Sequence, residues 1–304
     1  MSTLSKLRND CFALPAGVHW TPVSEALDLL EQRLQCCVPV ETCAVEASDG
    51  RILAHAVVAA RSHPPCPNSA VDGYAFSGSL EVGPHSMELR EGRSAAGVAF
   101  TGRLVPGQAL RILTGAALPD GADTVVLQED VRMEVGQLHV IGPLRAGANA
   151  RAAGEDMQEG AEIFQAGHQL RPEDLGVMAA AGLGEIAVFK PLKVAVISTG
   201  AELRAPGQAA RVDQIFDANR PMLCALLRRW GMEVVDIGIV PDEAAAVRAA
   251  LDQAAERADV ILTSGGASAG DEDHMSAVLR AGGGMALWRI AVKPGRPLAL
   301  GVWG

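Results

Sequence analysis

Aromatic side chains are scarce in this 304-residue sequence, and their scarcity disfavours one class of partner. Phe, Trp and Tyr make up 4% of the residues, so few rings are present on which nucleic-acid bases could stack. Hydrophobic residues nevertheless make up 49% of the chain, which is enough for substantial cores. The cores must therefore consist mainly of Ala, Val, Leu and Ile, in about two or three domains.

The sequence also lacks any block of lysine or arginine. It has 26 basic and 36 acidic residues, for a formal net charge of −10. This balance disfavours nucleic acid and anionic membranes as partners. An anionic ligand would need cations or backbone N–H groups placed locally.

Paired cysteines and long apolar runs are absent as well. The six cysteines include no Cys-x-x-Cys spacing, which disfavours zinc ribbons and thioredoxin-like redox sites. Scattered cysteines in a chain of this length are typical of reduced thiols in the cytoplasm. No apolar stretch is long enough to span a bilayer, and Met1–Gly17 lacks the apolar region of a signal peptide. We therefore expect a cytoplasmic protein with no membrane partner.

The first half of the chain shows two kinds of pattern. The apolar residues from Val23 to Leu34 fall on one helical face, and Thr21 could cap that helix. Residues 63–144 have short apolar runs separated by Gly, Pro and Asp turns, which predicts a β-rich domain. Residues 145–190 are rich in turns and include a short helix from Pro172 to near Gly182. We expect them to return to the first helix, so that 20–62 and 145–190 form one discontinuous mixed α/β domain.

The pattern from residue 191 to 304 is clearer. Predicted strands at 194–198, 233–240 and 259–263 alternate with helices at 220–230 and 243–257. This alternation predicts a largely parallel sheet covered on both faces, a three-layer α/β/α domain. A short helix near 273–279 and further strands at 285–292 and 298–303 follow. The expected fold class is thus a multidomain α/β protein with additional β-rich domains.

Polar segments follow several of these predicted strands. In open α/β sheets, ligands bind at the carboxyl ends of the strands. Those ends carry Ser198–Leu203, Val240–Asp242, Thr263–Asp273 and Lys293–Pro297. If the strands are parallel neighbours, these four segments meet at one edge and form a ligand site.

The segment Thr263–Asp273 has the composition of a phosphate-binding loop. Gly265, Gly266 and Gly270 offer unobstructed backbone N–H groups, and Ser264 and Ser268 add hydroxyls. A predicted helix begins just after the loop, so its amide groups favour an anion. Asp271 and Asp273 are hard oxygen ligands suited to Mg²⁺. The alternative is that the glycines only form a tight turn and the acids cap the helix.

The other strand ends have similar alternatives. Asp242 could be a helix N-cap, and Glu202 could be a solvated turn residue. Lys293 and Arg296 could be ordinary surface cations, or charge partners of a bound phosphate. The histidines are isolated and show no local catalytic signature.

Seven segments, in order, resemble a known family. They are Asn68–Ala75, Arg111–Ala116, Gly121–Val126 with Gln128-Glu129, Gly154–Asp156, Ser198–Leu203, Thr263–Asp273 and Lys293–Pro297. Together they are similar to the molybdopterin molybdenumtransferases, which include the E domain of gephyrin. Each motif alone is weak, but seven in this order are very specific, and the resemblance runs from about Trp20 to the last residue.

The resemblance implies an enzyme for the last step of molybdenum-cofactor synthesis. Adenylated molybdopterin and molybdate would be the substrates, Mg²⁺ would assist, and AMP would be released. It also implies an elongated homodimer whose active site lies between the α/β domain of one subunit and the β domain of the other. Molybdopterin adenylyltransferase and downstream molybdoenzymes would be further partners, and no nucleic acid is implied.

Residue roles follow from the resemblance position by position. Asp72 and Thr114 would come from the β domain of the partner subunit. Glu202, Asp242 and Asp273 would serve the metal, molybdate positioning and adenylate cleavage, and Lys293 would hold anionic oxygens. The ligand-binding set would be Ser264, Gly265, Gly266, Ser268, Gly270, Asp271, Arg289 and Arg296.

The sequence departs from the family pattern at several positions. The family usually has lysine where this chain has Arg289, an acid at Ala201, and a bulkier apolar–acidic pair at Cys66-Pro67. The family continues into another small β domain, whereas this sequence ends at Gly304. Two alternatives therefore stay open beside the enzyme. One is a truncated pterin-binding or scaffold protein of the same family, and the other is an unrelated sugar- or nucleotide-phosphate enzyme.

Overall fold

The computed structural model describes residues 21–265, 274–282, 285–290 and 297–303. The chain divides into two compact units. Val40–Phe189 form the first, which we call the central unit. The described residues up to Pro39 and those from Lys190 onward form the second, which we call the flanking unit.

Short strands predominate up to Phe189, and strands and helices alternate from Lys190 onward. Up to Phe189 the elements are α1 (Val23–Arg33), β1 (Val40–Ala44), β2 (Val57–Val58), β3 (Asn68–Ser69), β4 (Gly73–Phe76), β5 (Leu80–Ser94), β6 (Gln108–Ile112), β7 (Thr124–Leu127), β8 (Val131–Glu134), β9 (Gln137–Leu144), β10 (Ala150–Arg151), β11 (Glu162–Phe164), α2 (Pro172–Ala180) and β12 (Glu185–Phe189). From Lys190 they are β13 (Lys193–Thr199), β14 (Leu203–Arg204), β15 (Ile215–Phe216), α3 (Asn219–Arg229), β16 (Glu233–Val240), α4 (Ala244–Ala255), β17 (Val260–Ser264), α5 (His274–Gly282), β18 (Met285–Arg289) and β19 (Pro297–Gly301).

The largest sheet of the central unit has six strands, in the order β7-β4-β6-β5-β9-β8. Its pairs are antiparallel except β5 with β6. Phe76, Leu138 and Val126 lie in its buried core. A Cβ on Gly73 would lie 2.0 Å from the carbonyl oxygen of Val126, so only glycine allows β4 and β7 to pair at this point.

The rest of the central unit joins sequence segments that lie far apart. β1 pairs with β12, and β2 pairs with β11, both antiparallel. Their shared core includes Leu53, Leu170 and Met178. The turn-rich segment thus returns to residues 40–58, whereas α1 groups with the flanking unit. Domain boundaries at residues 63 and 144 stay a prediction.

The flanking unit contains the predicted parallel sheet, with strand order β16-β13-β17. Alternate residues of β13 point to opposite faces. Val194 and Val196 pack with Cys224 and Leu227 of α3. On the other face, Ala195 and Ile197 pack with residues of α4 and α5. The expected three-layer α/β/α arrangement and the fold class are confirmed.

The helix ends differ in detail from the sequence-based expectations. The N-cap position of α1 is Pro22 and that of α4 is Glu243, and neither makes a side-chain capping bond. Capping by Thr21 or Asp242 was therefore a wrong prediction. Helix α3 has Pro221 in its first turn and Gly231, with φ of 78°, just past its end, as predicted.

The final strands form a local hairpin. β18 pairs with β19 in an antiparallel register from Met285–Gly301 to Arg289–Pro297. In the described part of the chain these two strands pair with each other and not with β13, β16 or β17. The parallel edge therefore has three described strands, and not the four that the sequence led us to expect.

Candidate functional site

The carboxyl ends of the three parallel strands meet at one edge of the flanking sheet. Thr199 ends β13, Val240 ends β16 and Ser264 ends β17. In register, Thr199 lies opposite Val240, and Ser198 lies opposite Ser264. The sequence-based expectation that these segments meet is confirmed for three of the four.

Gly265 approaches the end of β13 very closely. A Cβ on Gly265 would lie 2.3 Å from the carbonyl oxygen of Thr199, and its φ is 98°. Both facts require glycine, because a side chain would clash with backbone and would be strained at this φ. The first glycine of the predicted loop thus fixes where that loop leaves the sheet.

Ser264 is held by a residue that the sequence patterns did not single out. The Nδ2 of Asn219, in the first residue of α3, donates a hydrogen bond to the Oγ of Ser264 at 2.9 Å. The pair joins the start of α3 to the end of β17. An Asn before a proline-containing helix start resembles an ordinary cap, so no local sequence signal points to this contact.

A cavity of about 610 Å³ opens beside the ends of β13 and β16. Its lining includes Gly200, Ala201, Leu203, Arg204, Gln208, Arg220, Val240, Pro241, Asp242 and Glu243. Two arginines and two acidic residues therefore face a space large enough for a small-molecule ligand.

Asp242 is the most unusual side chain of this cavity. Within the described part of the chain, its Oδ1 is buried and has no hydrogen-bond partner. The Asp242 side chain does not cap α4, since Glu243 occupies the N-cap position of that helix. A buried carboxylate oxygen without a partner is costly, so this side chain adds no hydrogen bond within the described structure to the stability of the fold.

Arg220 is clamped at the same wall. Its Nε donates to Asp217 at 3.2 Å and its Nη1 donates to Asp236 at 2.6 Å. The backbone N–H of Arg220 also donates to Asp217, which is 2% exposed. The first turn of α3 is therefore rigidly placed.

Glu202 is exposed and lies close to the end of β13. A Cβ on Gly200 would meet its carboxylate at 2.6 Å, so the side chain folds back over that glycine. Among the described residues, no group of three or more His, Cys, Asp or Glu side chains could hold a metal ion. The third predicted acid, Asp273, lies outside the described residues.

Several other predicted site residues also lie outside the described ranges. They are Gly266, Ser268, Gly270, Asp271, Lys293 and Arg296. Arg289 is the last residue of β18.

The central unit carries a second polar group, around Asp72. The backbone N–H and the hydroxyl of Thr114 both donate to Oδ1 of Asp72, each at 2.7 Å. These hydrogen bonds, followed by the charge of Arg111, hold the pKa of Asp72 below its ordinary value. Arg111 stacks over Tyr74 and donates to Gln128. The structure thus brings the two predicted residues Asp72 and Thr114 into contact.

A third polar group surrounds the Gly154-Glu-Asp156 motif. Arg151 donates to Glu155 at 3.1 Å and also to Asp156. The backbone N–H of Ala152 donates to the other oxygen of Glu155, which holds the turn closed. The motif is therefore a compact ion-paired turn of the central unit.

No helix in the described part of the chain is long and apolar enough to cross a membrane. This finding agrees with the absence of long apolar runs in the sequence.

The layered sheet, the strand-edge cavity and the β-rich central unit define a multidomain α/β protein of the ligand-binding type. Residues 21–182 match the family model described as the MoeA N-terminal region, domains I and II. Residues 195–304 match a model described as a probable molybdopterin-binding domain. The chain belongs to the MoeA family of molybdopterin molybdenumtransferases, and the resemblance drawn from its motifs is confirmed.

Individual relatives agree with this assignment. A molybdopterin molybdenumtransferase of Haemophilus influenzae is 37% identical over 259 residues, which cover 84% of this chain and 64% of the relative. Molybdopterin molybdenumtransferase 2 of Mycobacterium tuberculosis is 35% identical over 290 residues, covering 92% and 71%. The chain thus spans less than two thirds of the Haemophilus protein, and 59% of a Nostoc relative that is 34% identical.

Solved structures show the same fold. A molybdopterin biosynthesis MoeA protein from Pyrococcus horikoshii superposes with a TM-score of 0.78 at 29% identity, covering 94% of this chain and 72% of that one. A second structure of a MoeA protein from this organism gives a TM-score of 0.79 at 27% identity.

Proposed function

We propose that this chain inserts molybdate into adenylated molybdopterin and releases AMP, which forms the molybdenum cofactor. The name molybdopterin molybdenumtransferase, carried by its relatives, supports the reaction class. The single observation that carries the proposal is the Oδ1 of Asp242 at the cavity wall, which is buried and has no hydrogen-bond partner among the described residues. Such an oxygen is suited to a ligand that brings its own positive charge or hydrogen-bond donor.

Acidic residues are the ligands that we propose for a magnesium ion. Mg²⁺ prefers carboxylate oxygens and water, and the Oδ1 of Asp242 offers a desolvated oxygen of that kind. We assign Glu202, Asp242 and Asp273 to its binding. When bound, Mg²⁺ would neutralise charge on the phosphate of the adenylate.

The glycine-rich segment is assigned to the anionic part of the substrate. The Ser264 hydroxyl at the end of β17 and the close approach of Gly265 to Thr199 support this assignment. Gly266, Ser268, Gly270 and Asp271 would continue the loop. Lys293, Arg289 and Arg296 would add their positive charges to those of Arg204 and Arg220, which line the cavity.

We assign Asp72 and Thr114 to the reaction as well, within a homodimer. The ordinary pKa of an aspartate already lies well below neutrality, and the two hydrogen bonds from Thr114 lower the pKa of Asp72 further, so its carboxylate can accept hydrogen bonds at neutral pH. We propose that these residues serve the flanking unit of the partner subunit. A molybdopterin adenylyltransferase would supply the substrate and molybdoenzymes would receive the product, in the cytoplasm.

The test uses the purified chain with adenylated molybdopterin, molybdate and Mg²⁺, and AMP release is followed by chromatography. We expect molybdate-dependent AMP release that Asp242→Ala abolishes. Tight pterin binding without AMP release, at any protein concentration, would instead support the pterin-carrying scaffold. If the protein neither binds the pterin nor releases AMP, both functions are refuted.

A further inference from the structure

We propose that Asn219 is a positioning residue, which directs the hydroxyl proton of Ser264 towards the anionic substrate. The inference rests on the proposed function, because it concerns the same substrate. Two observations support the inference. Asn219 forms a hydrogen bond with Ser264, and the first turn of α3 is held in place by hydrogen bonds to Asp217.

Asp217 fixes the position of the first turn of α3. This carboxylate is 2% exposed and accepts from both the backbone N–H and the Nε of Arg220. The Nη1 of Arg220 also donates to Asp236 of β16, which ties the helix start to the sheet. The N–H of Asp217 donates to the carbonyl of Arg204, which anchors the preceding chain. Asn219 therefore projects from a fixed piece of backbone.

The side chain of Asn219 is not used for helix capping. The N-cap position of α3 is Ala218, and no side-chain capping bond is made there. Its amide instead reaches Ser264, 45 residues later in the chain. The ordinary reason for an asparagine at a helix start therefore does not account for this residue.

The direction of the hydrogen bond determines what Ser264 can do. A hydroxyl has one proton to donate and can accept two hydrogen bonds. Because the Nδ2 of Asn219 donates to Oγ, the hydroxyl proton is left to point elsewhere. Ser264 lies at the carboxyl edge of the sheet, where an anionic oxygen would accept that proton.

The experiment combines Asn219→Asp and Ser264→Ala in a double-mutant cycle. Aspartate has the same shape but only accepts, so it would capture the Ser264 proton and add a negative charge. We expect Asn219→Asp to raise the KM for adenylated molybdopterin about tenfold or more, with kcat within about threefold. In the Ser264→Ala background, the hydroxyl-mediated part of that increase should disappear, so that the two effects are clearly non-additive.

Two further variants separate positioning from charge and from stability. Asn219→Ala removes the donor without adding charge, so its effect on KM should be smaller and should also vanish in the Ser264→Ala background. A matched control is Ser86→Ala, which removes an exposed hydroxyl–amide bond of 3.0 Å to Gln137 in the central unit. Its KM should equal that of the wild type. The melting temperature of each variant reports any loss of folding.

The outcomes distinguish this inference from the proposed function. Suppose that the wild type turns over and that the effects of Asn219→Asp and Ser264→Ala on KM are fully additive. This outcome would overturn the inference and leave the proposed function intact. Wild-type protein that neither binds nor cleaves adenylated molybdopterin would overturn the function, and the inference would fall with it. If the wild type binds without turnover, the same cycle is measured on the Kd, with the same criteria.

Discussion

At the scale of single residues, Asp242 combines a cost in stability with a predicted function. Its Oδ1 is buried and has no partner in the described ranges of the chain, so we expect Asp242→Ala to leave the free energy of unfolding unchanged or raise it by about 1 kcal/mol. AMP release should fall about 100-fold or more. Urea denaturation and the AMP assay measure the two quantities.

Asp259 provides the matched control for Asp242. It also adjoins the sheet, but its carboxylate accepts the backbone N–H of Lys193 at 2.9 Å. Asp259→Ala should therefore lower stability and spare AMP release. The argument for Asp242 fails if its replacement lowers stability as much as that of Asp259 and leaves turnover intact.

Asp174 gives a pH-dependent prediction in the central unit. Burial raises its pKa, but hydrogen bonds from His168 and Arg171 outweigh burial and hold the pKa below the ordinary value. A lowered folded-state pKa stabilises the protein above the unfolded pKa of about 4, and this stabilisation is lost as the pH falls through the folded value.

We therefore expect Asp174→Asn to lower the free energy of unfolding by about 1–3 kcal/mol at pH 7. The difference from the wild type should shrink as the pH falls below about 4. Urea unfolding at several pH values measures it. A difference that is constant down to pH 2 would contradict this account of Asp174.

The sequence located the ends of the parallel strands better than it explained the residues there. It placed Asp242 after a strand, since a short apolar run followed by Pro-Asp is a local pattern. It could not show that Asp242 is not a cap, because a cap depends on the backbone angles at the helix start. The contact between Asn219 and Ser264 could not be predicted from sequence, because the tertiary fold brings these two distant segments together.

At the scale of elements, the close approach of Gly265 to β13 can be tested against a second glycine. Gly238 of β16 has φ of 96°, but an added Cβ would meet nothing within 4 Å. Gly265 has a similar φ of 98° and would clash with Thr199. We expect Gly238→Ala to cost about 1 kcal/mol from strain alone. Gly265→Ala should cost about 2–4 kcal/mol, because a clash is added.

Thermal unfolding of both variants gives these values, and AMP release should fall only for Gly265→Ala. Equal destabilisation of the two variants would show that the contact with Thr199 is unimportant.

The parallel strands were the elements best predicted from sequence. The predicted ranges of β13, β16 and β17 differ from the observed ones by one residue or less at each end, since each strand is a short, mainly apolar run between helix or turn signals. The apolar face correctly predicted the helix α1, yet Leu27 on that face is 59% exposed, and Ala26 is the one buried residue of the helix. Periodicity identifies an apolar face, but it does not identify what covers that face.

At the scale of the whole molecule, the central unit should fold when it is isolated. Its two ends are strands β1 and β12, paired over five residues, and it has its own cores. We expect a fragment of residues 40–189 to unfold cooperatively in urea and to show dispersed amide signals in NMR spectra. A fragment without a cooperative transition would contradict this division of the chain.

The proposed homodimer makes a second prediction at this scale. Asp72→Ala and Asp242→Ala should each abolish AMP release when the variant is assayed alone. If the two residues serve one site from different subunits, mixing and reassembling the variants should restore up to about half of the sites per mixed dimer. Mass spectrometry verifies that mixed dimers form. Mixed dimers without recovered activity would place both residues in the same subunit.

The pairing of β1 with β12 has a consequence for the order of folding. It places Val40 opposite Phe189, and Lys190 donates to the carbonyl of Pro39 at 2.9 Å. Once the central unit has folded, its paired ends hold the two sequence segments of the flanking unit next to each other. Closing a loop of about 5 residues rather than about 150 saves about 3 kcal/mol of chain entropy. During synthesis the central unit would therefore fold first, and helix α1 would join the residues that follow Lys190 only after they have been synthesised.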